Sequence, residues 1–323
     1  MNETSAAPRR SRQTGLTLFF VAAIIAGLVM LVHVSSGPDA APPDAGAPVA
    51  ADLAGFQPPN ESTIPDGPEG DSIRRGKELF LRTGELATQY VGSGLTCGNC
   101  HLDAGRTANA SPMWAAWGMY PAYRTKNDAI STMEDRILGC FIYSMNAQAS
   151  PAGAPPPPGD DIYRDMSMYF AWLAKGVPVG QEMPGRGFLK LDVPADGFDP
   201  GRGAAVYEEH CSVCHGENGE GVGNPDGTYT YPPLWGDASF NWGAGMSKTA
   251  NAAGFIKANM PFGMGYTLTD QQAWDVAAYV TSRERPRDPR QTGSIEEARA
   301  RHHKNGDYYG QMVDGDLLGD GVP

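Results

Sequence analysis

Positive charge is scarce in this sequence. Its 25 Lys and Arg face 37 Asp and Glu, for a net charge of −12, so the chain lacks the basic face that nucleic-acid binding needs. Cysteine is scarce too: there are five, an odd number that cannot all pair as disulfides. Strand-like alternation nowhere matches the helical periodicity, which makes the class mainly α. Glycine and proline are plentiful, 41 and 27 residues, which means long loops without low complexity. Apolar residues at 41% can form real cores, and 323 residues exceed one ordinary core, so two domains are expected.

Four cysteines fall into two identical patterns, Cys97-x-x-Cys100-His101 and Cys211-x-x-Cys214-His215. Two thiols at this spacing reach the two vinyl-derived carbons of one macrocycle, and the adjacent His meets the iron. A zinc knuckle or redox dithiol would not repeat the trailing His. The sequence predicts two covalently bound haem c groups and an internal repeat. Each copy follows a short helical pattern, Gly76 to Phe80 and Gly203 to Tyr207. The first copy has a longer gap before its cysteines, which places an insertion within Arg82 to Leu95.

One apolar run, about Leu16 to Val34, follows Arg9, Arg10 and Arg12. It is long enough to cross a bilayer, and the preceding basic residues predict an exported, periplasmic remainder anchored by residues 16–34. A cleavage site near Ala47-Pro48-Val49-Ala50 is the alternative. Residues 1–34 are therefore expected to be the anchor or signal and 35–70 a Pro/Ala-rich tether. Residues 71–190 and 198–290 are expected to be the haem domains, and 291–323 a flexible acidic tail in which His302 and His303 are solvated. Segment 71–190 has 12 Lys/Arg against 11 Asp/Glu and is the one segment beyond the anchor that is not acidic. It would best tolerate an anionic substrate.

Ser131-x-x-Glu134 resembles a capping box opening a helix with Ile137, Phe141 and Met145 on one face and Cys140 beside it. Asp161 to Ala174 reads as a second helix, and Thr269-x-x-Gln272 opens a third carrying Trp274, Ala277, Ala278 and Val280. Each iron needs a sixth ligand. For the second haem Met260, in Asn259-Met260-Pro261-Phe262, is favoured over Met246. For the first haem the candidates are Cys140, whose thiolate would be a strong donor, and Met145, and the residues by themselves leave both open.

The segment Gly94-Leu95-Thr96-Cys97-Gly98-Asn99-Cys100-His101-Leu102-Asp103-Ala104-Gly105-Arg106 resembles the first haem segment of thiosulfate dehydrogenases. Tyr120-Pro121-Ala122-Tyr123-Arg124 and Glu134-Asp135-Arg136-Ile137-Leu138-Gly139-Cys140-Phe141 are similar to the same family. So are Tyr231-Pro232-Pro233-Leu234-Trp235-Gly236, Ala258 to Gly263 and Glu284 to Arg290. The resemblance spans roughly residues 56–290. It implies two fused class I cytochrome c-like domains, with His101 and Cys140 as ligands of a catalytic first haem. His215 and Met260 would be ligands of a second haem that passes electrons on. Some members exchange a Lys with the adjacent Met, but Asn259 precedes Met260 here, which favours plain His/Met ligation.

The reaction implied is oxidation of two thiosulfate dianions to tetrathionate, the electrons leaving to a cytochrome c or other redox acceptor. Two like charges must be brought together, and Arg106, Arg124 and Arg136 are the candidate anion clamp beside Cys140. The alternatives are a membrane-anchored electron carrier without its own substrate, and a sulfur-oxidation cytochrome that depends on a partner protein. A carrier gains nothing from a thiolate ligand with three Arg nearby.

Overall fold

A computed structural model describes residues 55–304 and 306–322. The apolar run at 16–34 lies outside the described residues; among these, no helix is long and apolar enough to cross a membrane. The described residues fall in one compact unit built on two helical modules.

In the first module, α1 (Pro68–Leu81), α2 (Met133–Tyr143) and α3 (Asp161–Leu173) enclose a core with buried Ile73, Phe80, Phe141, Tyr163, Tyr169, Phe170 and Leu173. Each such side chain contributes roughly 1.5–3 kcal/mol on burial. In the second module, α4 (Pro200–His210), α5 (Thr249–Asn259) and α6 (Asp270–Thr281) enclose Tyr207, Ala253, Trp274, Val276 and Ala277.

The two modules repeat one helix crossing. A Cβ on Gly76 of α1 would stand 2.0 Å from the carbonyl oxygen of Asp165 on α3; one on Gly203 of α4 would stand 2.0 Å from that of Asp275 on α6. Glycine is what lets each pair approach so closely. The Asp side chains close both crossings: Asp165 accepts from Arg75 (2.8 Å) and Ser72 (2.6 Å), and Asp275 from Arg202 (2.8 Å).

Between the halves runs the segment 185–191. Asn109 N–H donates to Gly185 O and Ser111 N–H to Gly187 O, both at 2.7 Å. Phe188 meets Phe255 of α5 edge-on at 6.1 Å. Asn241 of the second module donates through Nδ2 to Ile142 O of α2 at 2.9 Å. Among the described residues the strands are three short hairpins, β1 (Ala122–Arg124) with β2 (Ala129–Ser131), β3 (Val222–Gly223) with β4 (Tyr229–Tyr231), and β5 (Met312–Val313) with β6 (Asp316–Leu317). In the first, Tyr123 pairs with Ile130.

Three sequence expectations need correction. Residues 55–70 do not continue the tether: Phe56 packs on Trp114 at 5.1 Å, Ile64 is buried and α1 begins at Pro68. The cap of α2 is Thr132 with Asp135, not Ser131 with Glu134. Ser131 is held in β2, whereas Thr132 is extended and exchanges hydrogen bonds with Asp135 (2.7 and 3.2 Å). Last, 291–323 is not a flexible tail. It forms α7 (Ile295–His302) and the β5–β6 hairpin, and buries Ala298, Tyr309 and Leu318 against Trp242. Three buried anchors spread over a polar, Gly-rich stretch escape a reading by composition. The helices at 161–173 and 270–281 match expectation, the latter with its Thr269–Gln272 capping box.

Candidate active site

The two histidines of the repeat are held alike. His101 Nδ1 lies 2.7 Å from the carbonyl oxygen of Ser111, and His215 Nδ1 lies 2.9 Å from that of Pro232. A carbonyl can only accept, so Nδ1 carries the proton and the lone pair of Nε2 is left free to bind a metal. Ser111 achieves this with a positive φ of 52°, a strained conformation of the kind that clusters at functional sites. None of the four motif cysteines is paired in a disulfide. Burial pushes Cys97 and Cys211 up to about 12 and Cys100 to about 11. Neutral, unbridged thiols beside an imidazole with a free Nε2 are the donor set that covalent haem c requires, and it is present in both modules.

Cys140 lies one turn after Arg136 on α2, and Arg136 Nη1 donates to Cys140 Sγ at 3.0 Å. Burial by itself would push this thiol up. Burial is the largest single influence, but the charge of Arg136, the neighbouring His101 and the charge of Lys126 together outweigh it and leave Cys140 at about 7. Of the two first-haem candidates, the structure sets Cys140 against His101, while Met145 is buried in the core of the first module. Met260 follows α5 and is half-buried. Asn259 before it is tied down, its Nδ2 donating to Phe255 O (2.9 Å) and to Asn109 O (3.3 Å) of the first module.

A cleft of about 930 Å³ opens beside Arg136, lined by nine Lys/Arg and only three Asp/Glu. In a chain of net charge −12 this is a concentrated positive field, suited to a small anion. Arg124, on β1, enters it with its guanidinium over the Tyr120 ring at 5.8 Å. Arg106 does not. Its guanidinium is held by the carbonyls of Pro58 (3.5 Å) and Pro59 (3.0 Å) and stacks on Trp172 at 5.3 Å, so it fastens the N-terminal segment instead of forming part of an anion clamp.

Of the cleft cations that sequence reasoning did not single out, two share the ring of Tyr143. The stem of Lys126 is exposed, but its ammonium is tucked between Gly243 O (2.6 Å) and the face of Tyr143 (3.6 Å). Burial of that end, then the charges of Arg290 and Arg136, push it down to about 7. Arg290 lies over the same Tyr143 ring at 5.1 Å. The dense basic run Arg283 to Arg290 was the available signal for the second; a lone Lys in a hairpin offers none.

The cytochrome c family model matches residues 201–284, the second module. A thiosulfate dehydrogenase of Stutzerimonas stutzeri (strain A1501) is 47% identical over 270 residues, 83% of this chain and 86% of that protein. One from Thiomonas intermedia (strain K12) is 47% identical over 272 residues, 84% of each. Among solved structures, thiosulfate dehydrogenase (TsdBA) from Marichromatium purpuratum in its as-isolated form is 51% identical with a TM-score of 0.79. That match takes in 83% of this chain but 58% of the longer protein.

Proposed function

The chain belongs to the thiosulfate dehydrogenase family, and on that premise we propose that this oxidoreductase joins two thiosulfate dianions into tetrathionate, with Cys140 as the sulfur nucleophile. The observation that carries the reading is the thiol at about 7, bonded to Arg136 at the edge of a cation-lined cleft.

The residues fit two haem c groups, held through Cys97, Cys100 and His101 in one module and Cys211, Cys214 and His215 in the other. Cys140 and Met260 are their proposed sixth ligands. Bound haem would take up the two electrons released, one at each iron, and pass them to an external acceptor such as a cytochrome c. The protein does the rest. Arg136 stabilises the Cys140 thiolate and, with Arg124, neutralises the incoming dianion. The thiolate bonds to the sulfane sulfur of the first thiosulfate, giving a Cys140-bound S–SO₃⁻ group with loss of two electrons. The sulfane sulfur of the second thiosulfate attacks the outer sulfur of that disulfide. A new S–S bond forms, the bond to Cys140 breaks and the thiolate returns with its electron pair. Charge balances: two dianions yield one tetrathionate dianion and two electrons. The same residues serve the reverse reaction. The anchor at 16–34 would place this chemistry on the periplasmic side of a membrane.

The test is oxidised holoprotein with thiosulfate and an artificial acceptor, scored for tetrathionate and for acceptor reduced. One tetrathionate per two electrons is expected, with product formation abolished by Cys140→Ser. No product from protein with both haems intact overturns the proposal, and full turnover by Cys140→Ser overturns the covalent route.

A further inference from the structure

The cations that hold Cys140 and the first dianion belong to the first module, but the opposite wall of the cleft comes from the end of the second module and the C-terminal segment. Arg290 is gripped there by a buried chain of charges. Its Nη2 donates to Asp288 Oδ2 at 2.6 Å and its Nε to Asp288 Oδ1 at 3.0 Å. Asp288, fully buried, also accepts from His303 Nε2 at 2.9 Å, and His303 Nδ1 reaches Asp307 at 2.7 Å. Tyr309 stacks on His303 at 3.9 Å. With both ring nitrogens on carboxylates, His303 is an imidazolium, so two cations and two carboxylates cancel within this chain of contacts.

Beyond it the balance fails. Lys126 has no carboxylate partner among the described residues. It shares the ring of Tyr143 with Arg290, at ring-centre distances of 3.6 and 5.1 Å. Gly243 makes this possible, since a Cβ there would stand 2.4 Å from the Tyr143 ring. Two cations are thus fixed on one aromatic ring, beside a third, Arg136, that is bonded to Cys140. Positive charge collected in this way attracts a mobile anion.

Joining two thiosulfates needs two seats, and Arg136 with Cys140 supplies one. We propose that Lys126 and Arg290 form the second seat, which holds the attacking dianion, and that His303 acts through Asp288 as a positioning residue for Arg290. The inference rests on thiosulfate being the substrate. The second seat itself is one for a small sulfur oxyanion dianion.

The experiment compares wild-type holoprotein with Arg290→Gln, Lys126→Gln, His303→Ala and His303→Gln, each checked for a cooperative unfolding transition above the assay temperature and an unchanged haem spectrum. Steady-state rates are read against thiosulfate, and binding of sulfate, an unreactive dianion, is read by calorimetry. Arg290→Gln and Lys126→Gln are expected to raise the thiosulfate KM about tenfold with a smaller change in kcat, and to weaken sulfate binding by a similar factor. His303→Ala should raise KM severalfold, and His303→Gln, which keeps a donor to Asp288, should restore most of the loss. Folded Arg290→Gln and Lys126→Gln proteins with wild-type KM and sulfate affinity overturn the seat. Should wild-type protein bind sulfate through these residues yet fail to oxidise thiosulfate, the seat stands and the substrate reading falls.

Discussion

Arg136 serves Cys140 twice, as hydrogen-bond donor at 3.0 Å and as the charge that offsets burial of the thiol. Arg136→Met removes both, so the thiol should climb from about 7 toward its unshifted value of 9.0. A charge-assisted bond of this kind contributes about 1.5–3 kcal/mol, so kcat/KM for thiosulfate should fall roughly 10- to 100-fold. The acid limb of its pH profile should move upward in the same assay. Lys126 titrates in the opposite sense. Pushed down to about 7, it loses its charge as pH rises and with it the attraction for a dianion, so KM should increase above neutrality. Lys126→Arg keeps the charge at any accessible pH. A KM that stays flat from pH 7 to 9 in that variant, while the wild-type value rises, is the expected result. The haem-binding residues were legible in the sequence because covalent attachment demands a fixed spacing. Lys126 was not, because its role comes from what folds over it, the Tyr143 ring and the Gly243 carbonyl, far away in the chain.

At the scale of elements, the Gly–Asp crossings decide how the helices meet. A methyl group on Gly203 would collide with the backbone of Asp275, and backbone cannot swing aside as a flexible side chain can. Overpacking of this type costs about 1–3 kcal/mol, occasionally more. Gly203→Ala should therefore lower the denaturation midpoint in guanidinium, and Gly76→Ala should do the same through the Asp165 carbonyl. Alanine at the exposed Gly153, which has open space but a positive φ of 64°, should cost less. The sequence shows these helices through periodicity and caps, and Thr269 was found because Gln272 stands three residues on. At α2 two overlapping S/T-x-x-D/E patterns compete, Ser131–Glu134 and Thr132–Asp135. Pairing of Ser131 in β2 decides between them, a long-range fact that local pattern does not contain.

On the scale of the whole molecule, the C-terminal segment is joined to the cleft by charge as well as by packing, so its attachment should follow pH. His303 is packed against Asp288, Asp307 and Tyr309, with Arg290 on Asp288 and His302 and Arg301 on its own helix. Burial opposes its protonated form, but the two carboxylates prevail and raise it above the ordinary imidazole value of 6.5. A raised folded value means that its contribution is complete below about 6.5 and is lost as pH climbs through the folded value. Asp288 runs the other way. Bonded to His303 and Arg290, it is held well below its ordinary 3.8, so its contribution is present above that value and lost only in strong acid. The segment should be held most firmly from about pH 4 to about pH 6.5, where both groups are charged. Above that window one His303 nitrogen is left facing a carboxylate with no proton between them. Hydrogen-exchange protection of 295–318, taken relative to the intrinsic rate at each pH, should then fall between pH 6 and pH 9, while the buried centre of α3 stays protected. His303→Ala should already show low protection at pH 6 and little further change in protection with pH. Equal protection of the segment at pH 6 and pH 9 in the wild type would mean that Trp242, Tyr309 and Leu318 hold it by apolar packing alone.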